Sequence, residues 1–200
     1  MARVRDIEID EAPAALRPLY RRIEEEFGPF LSQAKVFAHR PPILEHLMGM
    51  ALELNREGVV PVRYLEIGIL AVSKLNECRY CVAHHAPRLV DTGLPMATAL
   101  AILEPDCPGL DATDRLVRDY AVQVTTDSKR VSDTMFAALR ECFDEAQIVE
   151  LTTRIAMCGF YNRFNEALRL DIEDGVLEDV LAKGGRLEDL PPDELADAAE

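Results

Sequence analysis

EIGILAVSKLNECRYCVAHHAPRLVDTG, residues 66–93, places two cysteines and two histidines between Cys78 and His85. Apolar residues precede this cluster at helical spacing, and Gly93 follows it at a position typical of a helix end. The stretch therefore predicts two helices, the first reaching Asn76 and the second beginning close to Cys78. Four interpretations of the cluster are open: a metal site, a disulfide, thiol chemistry, or simple packing within a helix.

The sequence on both sides of this stretch has the same helical character. Apolar residues recur at helical spacing in segments that end at glycines or begin at capping residues, namely Gly28, Gly58, Asp111 and Ser132. No alternating strand pattern with hairpin turn residues and no glycine-rich phosphate loop is found. We therefore predict an all-α fold: a single compact multi-helix domain over residues 1–172, with its core motif in residues 64–93.

The charge is strongly negative and unevenly distributed. The net charge is −14, and residues 171–200 hold eleven acidic against two basic residues, a net −9. We therefore interpret residues 173–200 as a solvated acidic tail. The negative charge also argues against nucleic acid or an anionic membrane as a partner.

Composition indicates a reducing compartment. No apolar run approaches the roughly 20 residues that span a bilayer, and the first residues, MARVRDIEIDEA, lack the apolar centre of a signal peptide. We expect the protein in the cytoplasm, where thiols are kept reduced. Five cysteines cannot all pair with one another within the chain, so a close pair there is typical of redox or metal chemistry.

Helical geometry brings three of the clustered side chains together. In a helix that begins near Cys78, the side chains of Cys78, Cys81 and His85 share an arc of roughly 60°. His84 falls at the edge of that arc, so its role stays open. The free N–H groups of a first helical turn favour a thiolate, which by itself marks Cys78 as the more acidic thiol. A nearby imidazole can exchange protons near neutral pH.

Two simpler interpretations compete with thiol chemistry. Cys-x-x-Cys with a nearby histidine supplies three zinc ligands, but a closed site needs a fourth, and the remaining cysteines stand alone in the sequence at Cys107, Cys142 and Cys158. Cysteine is also often a small buried apolar residue, and the pair can serve packing alone.

Residues 64–93 resemble the core motif of the alkylhydroperoxidase D-like branch of the carboxymuconolactone decarboxylase family. That motif has a glutamate on one helix, then Cys-x-x-Cys and a histidine four residues after the second cysteine, which match Glu66, Cys78, Cys81 and His85. The downstream GFYNRFNEAL, residues 159–168, is similar to a closing core helix of related members. In the best-studied members a histidine stands between the cysteines, where this sequence has Tyr80.

The resemblance implies a helical subunit that forms homo-oligomers, often trimers or hexamers. It implies a thiol peroxidase that needs no haem or flavin, with a hydroperoxide as substrate and a dithiol, thioredoxin-like or lipoyl reductant. By position, Cys81 would attack the peroxide, Cys78 would resolve the oxidised thiol, and Glu66 and His85 would form a proton relay. The family pattern makes Cys81 the attacking thiol, whereas the position at the helix start marks Cys78 as the more acidic one. For the attacking thiol we follow the family.

Glu66 is assigned differently by the sequence pattern and by the resemblance. On a helical wheel it lies about 100° from Leu65, away from the apolar stripe and near Arg63. This pattern predicts a solvated glutamate paired with Arg63, and only the resemblance places it in the site. Two alternative functions remain: a lactone enzyme of the carboxymuconolactone decarboxylase type, which does not depend on Cys-x-x-Cys, and a non-catalytic redox-sensing or zinc-binding oligomer.

Overall fold

The computed structural model describes residues 2–28, 31–173 and 175–192. Its secondary structure in those ranges is helical, without strands, which confirms the predicted all-α fold. The α-helices in these ranges are, in chain order, α1 (Arg17–Phe27), α2 (Leu31–Phe37), α3 (Pro41–Ile43), α4 (Gly49–Glu57), α5 (Val62–Leu75), α6 (Arg79–Asp91), α7 (Met96–Leu100), α8 (Ala112–Asp127), α9 (Asp133–Cys142), α10 (Glu145–Leu168) and α11 (Val176–Ala182). A π-helical segment, Leu44–Met48, joins α3 to α4.

Local capping chemistry sets several helix ends as predicted. The Asp111 carboxylate accepts a hydrogen bond from the Asp114 backbone N–H at 2.8 Å and starts α8. The Ser132 hydroxyl accepts from the Met135 N–H at 3.1 Å and starts α9. Gly58 follows α4 with φ 62°, a left-handed conformation that glycine adopts without steric cost.

Helix α5 is the central element of the fold. It packs against α6, α8 and α10, and its apolar side chains Ile67, Leu70 and Val72 are fully buried. Its polar residues Glu66 and Ser73 are buried as well, with 5% and 0% of their surface exposed. Contact with three helices therefore covers most of the circumference of α5, including the side that the helical wheel predicts to be solvated.

The cysteine pair belongs to a small apolar cluster that is separate from the two larger ones. The larger cluster is built by α5, α6, α8 and α10, and a second one by the N-terminal region, where Leu16, Tyr20 and Phe37 are buried. A small third cluster contains Cys78 and Cys81. The motif thus sits inside the protein, close to where the N-terminal helices meet the central ones.

The segment from residue 175 to residue 192 is packed on the domain, so its prediction as a solvated tail is wrong. Helix α11 contacts α6 and buries Val176 and Val180, which are spaced one turn apart. The Lys183 ammonium binds Asp91 at 2.8 Å. Because acidic residues dominate the composition of this segment, the short apolar stripe that packs against α6 is not apparent from the composition. Residues 174 and 193–200 of the predicted tail lie outside the described residues.

Among the described helices, none combines the length and apolar character required to cross a membrane.

Candidate functional site

A tight turn between α5 and α6 places the cysteine pair. Glu77 adopts a left-handed conformation with φ 53°, and the Cys78 N–H donates to the Ser73 carbonyl at 3.0 Å. The Asn76 amide binds Asn162 of α10 at 2.9 Å and fixes the turn against that helix. Cys78 is the N-cap of α6, as its predicted position near a helix start requires, and its sulfur lies 3.5 Å from the Cys81 N–H.

The two thiols of the pair are unequal. Cys78 is fully buried, and its hydrogen bond to Cys81, together with burial, raises the pKa of its thiol far above the usual range. Cys81 is 4% exposed and lines a cavity, whereas Cys78 does not. Cys78 therefore keeps its proton, contrary to the argument from the helix start alone. That argument considers only the free N–H groups of one helix and omits the neighbouring sulfur and the apolar cluster.

Asn165 contacts the sulfur of Cys81, a contact that the sequence analysis does not predict. The Asn165 Nδ2 donates to Cys81 Sγ at 3.2 Å, and Gln33 Nε2 donates to Asn165 Oδ1 at 2.7 Å. Because Gln33 occupies the acceptor oxygen of the amide, the N–H side is oriented toward the sulfur. An N–H donor at this distance stabilises a thiolate more than a thiol.

Glu66 and His85 form a buried pair that faces the same cavity. The distance from Glu66 Oε2 to His85 Nδ1 is 2.7 Å, and the side chains are 7% and 11% exposed. The predicted solvated pairing of Glu66 with Arg63 is wrong: Arg63 binds Asp114 instead, with its Nε at 2.9 Å. Burial lowers the pKa of His85, and the charge and hydrogen bond of Glu66 oppose that shift.

A second buried cluster, formed by Tyr80, His84 and Glu173, lies on another side of α6. The Tyr80 hydroxyl donates to Glu173 Oε1 at 2.6 Å, and His84 Nε2 lies 2.8 Å from Glu173 Oε2. His84 Nδ1 is 2.7 Å from the Tyr80 carbonyl. Burial alone would raise the pKa of Glu173, but the bonds to His84 and Tyr80 outweigh it and lower the pKa. The cluster ties the segment after α10 to the cysteine helix.

The cavity beside Cys81 has a volume of about 310 Å³. Apolar side chains contribute to its lining, among them Leu54, Leu65 and Met157. Cys81, Glu66 and His85 line it together, so the structure brings three of the four residues matched to the motif to one chamber, with Cys78 directly behind Cys81. Within the ranges that the structure describes, no group of three or more His, Cys, Asp or Glu side chains is placed to hold a metal ion.

The depressed pKa of His85 predicts a specific loss of stability in acid. A histidine whose folded pKa lies below its ordinary value of 6.5 contributes stability above that pH, and this contribution is lost as the pH falls through the folded pKa. Urea unfolding from about pH 8 to about pH 5 should therefore show a steeper loss of unfolding free energy in wild type than in His85→Gln. Parallel curves would contradict a buried imidazole whose charged form is disfavoured.

The comparison with family models confirms the resemblance drawn from the motif. Residues 41–105 match the model described as the carboxymuconolactone decarboxylase family. No curated protein matches the chain.

Solved structures confirm the fold. An alkylhydroperoxidase AhpD core structure, an uncharacterized peroxidase-related protein from Ralstonia eutropha JMP134, is 21% identical, with a TM-score of 0.77 over 92% of this chain and 98% of that chain. An uncharacterized peroxidase-related protein from Silicibacter sp. TM1040 is 19% identical, with a TM-score of 0.73 over 88% and 94%. A cysteine-to-alanine variant of the debrominase Bmp8 in complex with 2,3,4-tribromopyrrole is 20% identical, with a TM-score of 0.73 over 90% and 96%.

Proposed function

We propose that the protein is a thiol-dependent peroxidase in which Cys81 reduces a hydroperoxide inside the cavity and Cys78 resolves the oxidised Cys81. The observation that carries this proposal is the inequality of the thiols. Cys81 lines the cavity together with Glu66 and His85, while Cys78 is fully buried, does not line the cavity and keeps its proton. An attacking thiol must reach its substrate, whereas a resolving thiol needs only to reach its partner.

The first step is attack of the Cys81 thiolate on the terminal oxygen of the hydroperoxide. The S–O bond forms as the O–O bond breaks, which gives a Cys81 sulfenic acid and an alcohol. His85, which lines the same cavity, takes the proton of the Cys81 thiol as the thiolate forms and returns it to the departing alkoxide, which leaves as the alcohol. Glu66 holds the imidazole at Nδ1, so that the other ring nitrogen serves the cavity side. The Asn165 N–H stabilises the thiolate before attack.

The second step is attack of Cys78 on the sulfur of the Cys81 sulfenic acid. The S–S bond forms as the S–O bond breaks, and the hydroxide that leaves takes the Cys78 proton to give water. Cys78 Sγ already accepts from the Cys81 backbone N–H at 3.5 Å, so the two residues are adjacent and this step requires little movement of the chain. The disulfide then returns to two thiols by exchange with an external dithiol, for which we propose a thioredoxin-like or lipoyl carrier.

Reductive dehalogenation is a second candidate, favoured by the apolar cavity and by the likeness to a debrominase bound to tribromopyrrole. In that reaction Cys81 would take the halogen from a carbon that gains a proton, and Cys78 would release halide as the disulfide forms. Both candidates use the same two electrons of the dithiol. A lactone reaction uses neither thiol, so it does not account for the position of the buried Cys78 next to Cys81.

Steady-state assays distinguish these candidates. We expect cumene hydroperoxide to be consumed with dithiothreitol or dihydrolipoamide as the reductant, with stoichiometric formation of the alcohol. Bromide release from a bromopyrrole under the same conditions, without peroxide consumption, would favour dehalogenation. Turnover of a muconolactone that persists after both thiols are alkylated would overturn the thiol mechanism.

A further inference from the structure

Gln33 is a buried polar side chain to which the proposed reaction assigns no step. It lies in α2, is 4% exposed and lines the same cavity as Cys81. Its Nε2 donates to Asn165 Oδ1 at 2.7 Å, and Asn165 Nδ2 donates in turn to Cys81 Sγ at 3.2 Å. Asn165 is 1% exposed. A buried amide costs free energy unless it is hydrogen-bonded, so the two amides stabilise each other, and Gln33 reaches the sulfur through Asn165.

The bond from Gln33 decides which end of the Asn165 amide faces Cys81. An asparagine side chain has an N–H end, which donates, and a carbonyl end, which accepts. While the carbonyl is bonded to Gln33, the N–H end meets the sulfur. The reverse orientation would place two NH2 groups against each other and a carbonyl oxygen against the sulfur. Since an N–H favours the thiolate and a carbonyl oxygen favours the thiol, Gln33 sets the sign of the contribution that Asn165 makes.

The Glu173 carboxylate holds Gln33 beside the cysteine helix. Its Oε1 accepts from the Ser32 backbone N–H at 2.8 Å and from the Tyr80 hydroxyl at 2.6 Å. Ser32 directly precedes Gln33 in α2. Tyr80 directly precedes Cys81 in α6. One carboxylate oxygen therefore joins the residue before the glutamine to the residue before the cysteine, and it fixes α2 relative to α6 at the point where the amide contact forms.

We infer that Gln33 is a positioning residue for Cys81, because it turns the N–H of Asn165 toward the sulfur and so favours the thiolate. Its role in catalysis rests on the proposed peroxidase function, in which Cys81 attacks as a thiolate, whereas its effect on the ionisation of Cys81 does not. Without Gln33 the Asn165 amide can turn over. A smaller fraction of Cys81 is then ionised at neutral pH, and its reactions as a nucleophile slow down.

The test measures how fast iodoacetamide alkylates Cys81 as a function of pH, with peptide mapping to separate it from the exposed Cys142. Gln33→Met keeps an unbranched side chain but removes the N–H donor. It should raise the midpoint pH of alkylation by roughly one to two units, the usual effect of a hydrogen bond to a charged group. Asn165→Ala should raise the midpoint by a similar amount. The double variant should show no further rise, because Gln33 acts through Asn165.

Gln123→Met is the matched control. Gln123 lies on α8, donates to the Asp127 carbonyl at 2.8 Å and does not line the cavity. Its replacement should leave the midpoint unchanged. An unchanged midpoint in Gln33→Met would overturn the inference. Shifts of Gln33→Met and Asn165→Ala that add in full would overturn it as well, since a residue that serves packing alone acts independently of the amide.

Wild-type protein provides a measurement that requires no variant to fold. In a nitrogen-15-labelled sample, the side-chain N–H signals of Asn165 should move with pH, with the same midpoint as the alkylation of Cys81. Signals that stay constant through that range would overturn the contact on which the role of Gln33 depends. If the midpoints shift as expected but wild type consumes no cumene hydroperoxide, the positioning role stands and the peroxidase proposal fails.

Discussion

Cys81→Ser should reduce hydroperoxide consumption to the level of the protein-free control, a loss of roughly a thousandfold or more, because a hydroxyl is not ionised in this site and cannot attack the peroxide. Cys78→Ser should behave differently. It retains the attacking thiol at the cavity, so one equivalent of peroxide should disappear rapidly, after which turnover should stop at an unresolved Cys81 sulfenic acid. Rapid-mixing measurements of peroxide loss, with one equivalent of protein, distinguish the two variants.

Cys142→Ser is the control for this pair, since Cys142 is exposed and lies away from the cavity. It should turn over at the wild-type rate. A Cys81→Ser variant that still consumes one equivalent, together with a Cys78→Ser variant that consumes none, would reverse the assigned roles of the two thiols.

Glu66→Gln should slow turnover by roughly a hundred- to ten-thousandfold, the usual range for the loss of general acid–base catalysis. The glutamate charge holds the pKa of His85 up against burial, so its removal should lower that pKa further. The pH–rate profile of peroxide reduction should then shift to lower pH. The loss in the double variant with His85→Gln should be smaller than the product of the two single losses, because the two residues act as one unit.

Glu53→Gln provides the matched control, because Glu53 is an exposed carboxylate that binds Arg22 and Arg56 on the surface. It should leave both the rate and the pH profile unchanged. If Glu66→Gln also leaves both unchanged, the Glu66–His85 pair has a structural role only, and proton transfer must involve another group.

Local sequence signals were sufficient for the features that depend on local physics. Helical periodicity, the caps at Asp111 and Ser132, and the start of α6 at the cysteine pair each follow from residues within a turn or two of one another. The shared arc of Cys78, Cys81 and His85 also follows from helix geometry alone. The contact between Glu66 and His85 does not follow from helix geometry. A helical wheel describes one helix and gives no information on how many other helices pack around it.

The features that the sequence did not reveal depend on contacts between distant segments. Asn165 reaches Cys81 across 84 positions, and Glu173 reaches Tyr80 across 93. No periodicity or motif spacing indicates such pairs in a single sequence. The acidic composition of the C-terminal segment is misleading for a related reason. The packing of this segment on the domain depends on two buried valines of α11, which the net charge does not reveal.

The roles proposed for Cys81 and Cys78 can be tested in a single-turnover reaction of wild-type protein with one equivalent of cumene hydroperoxide in the absence of reductant, followed by peptide mapping. We expect one equivalent of alcohol and a loss of two hydrogens per chain, with the disulfide joining Cys78 to Cys81 and the other three cysteines still reduced. Alcohol formation with both Cys78 and Cys81 still reduced, or unreacted peroxide alongside two free thiols, would contradict these roles.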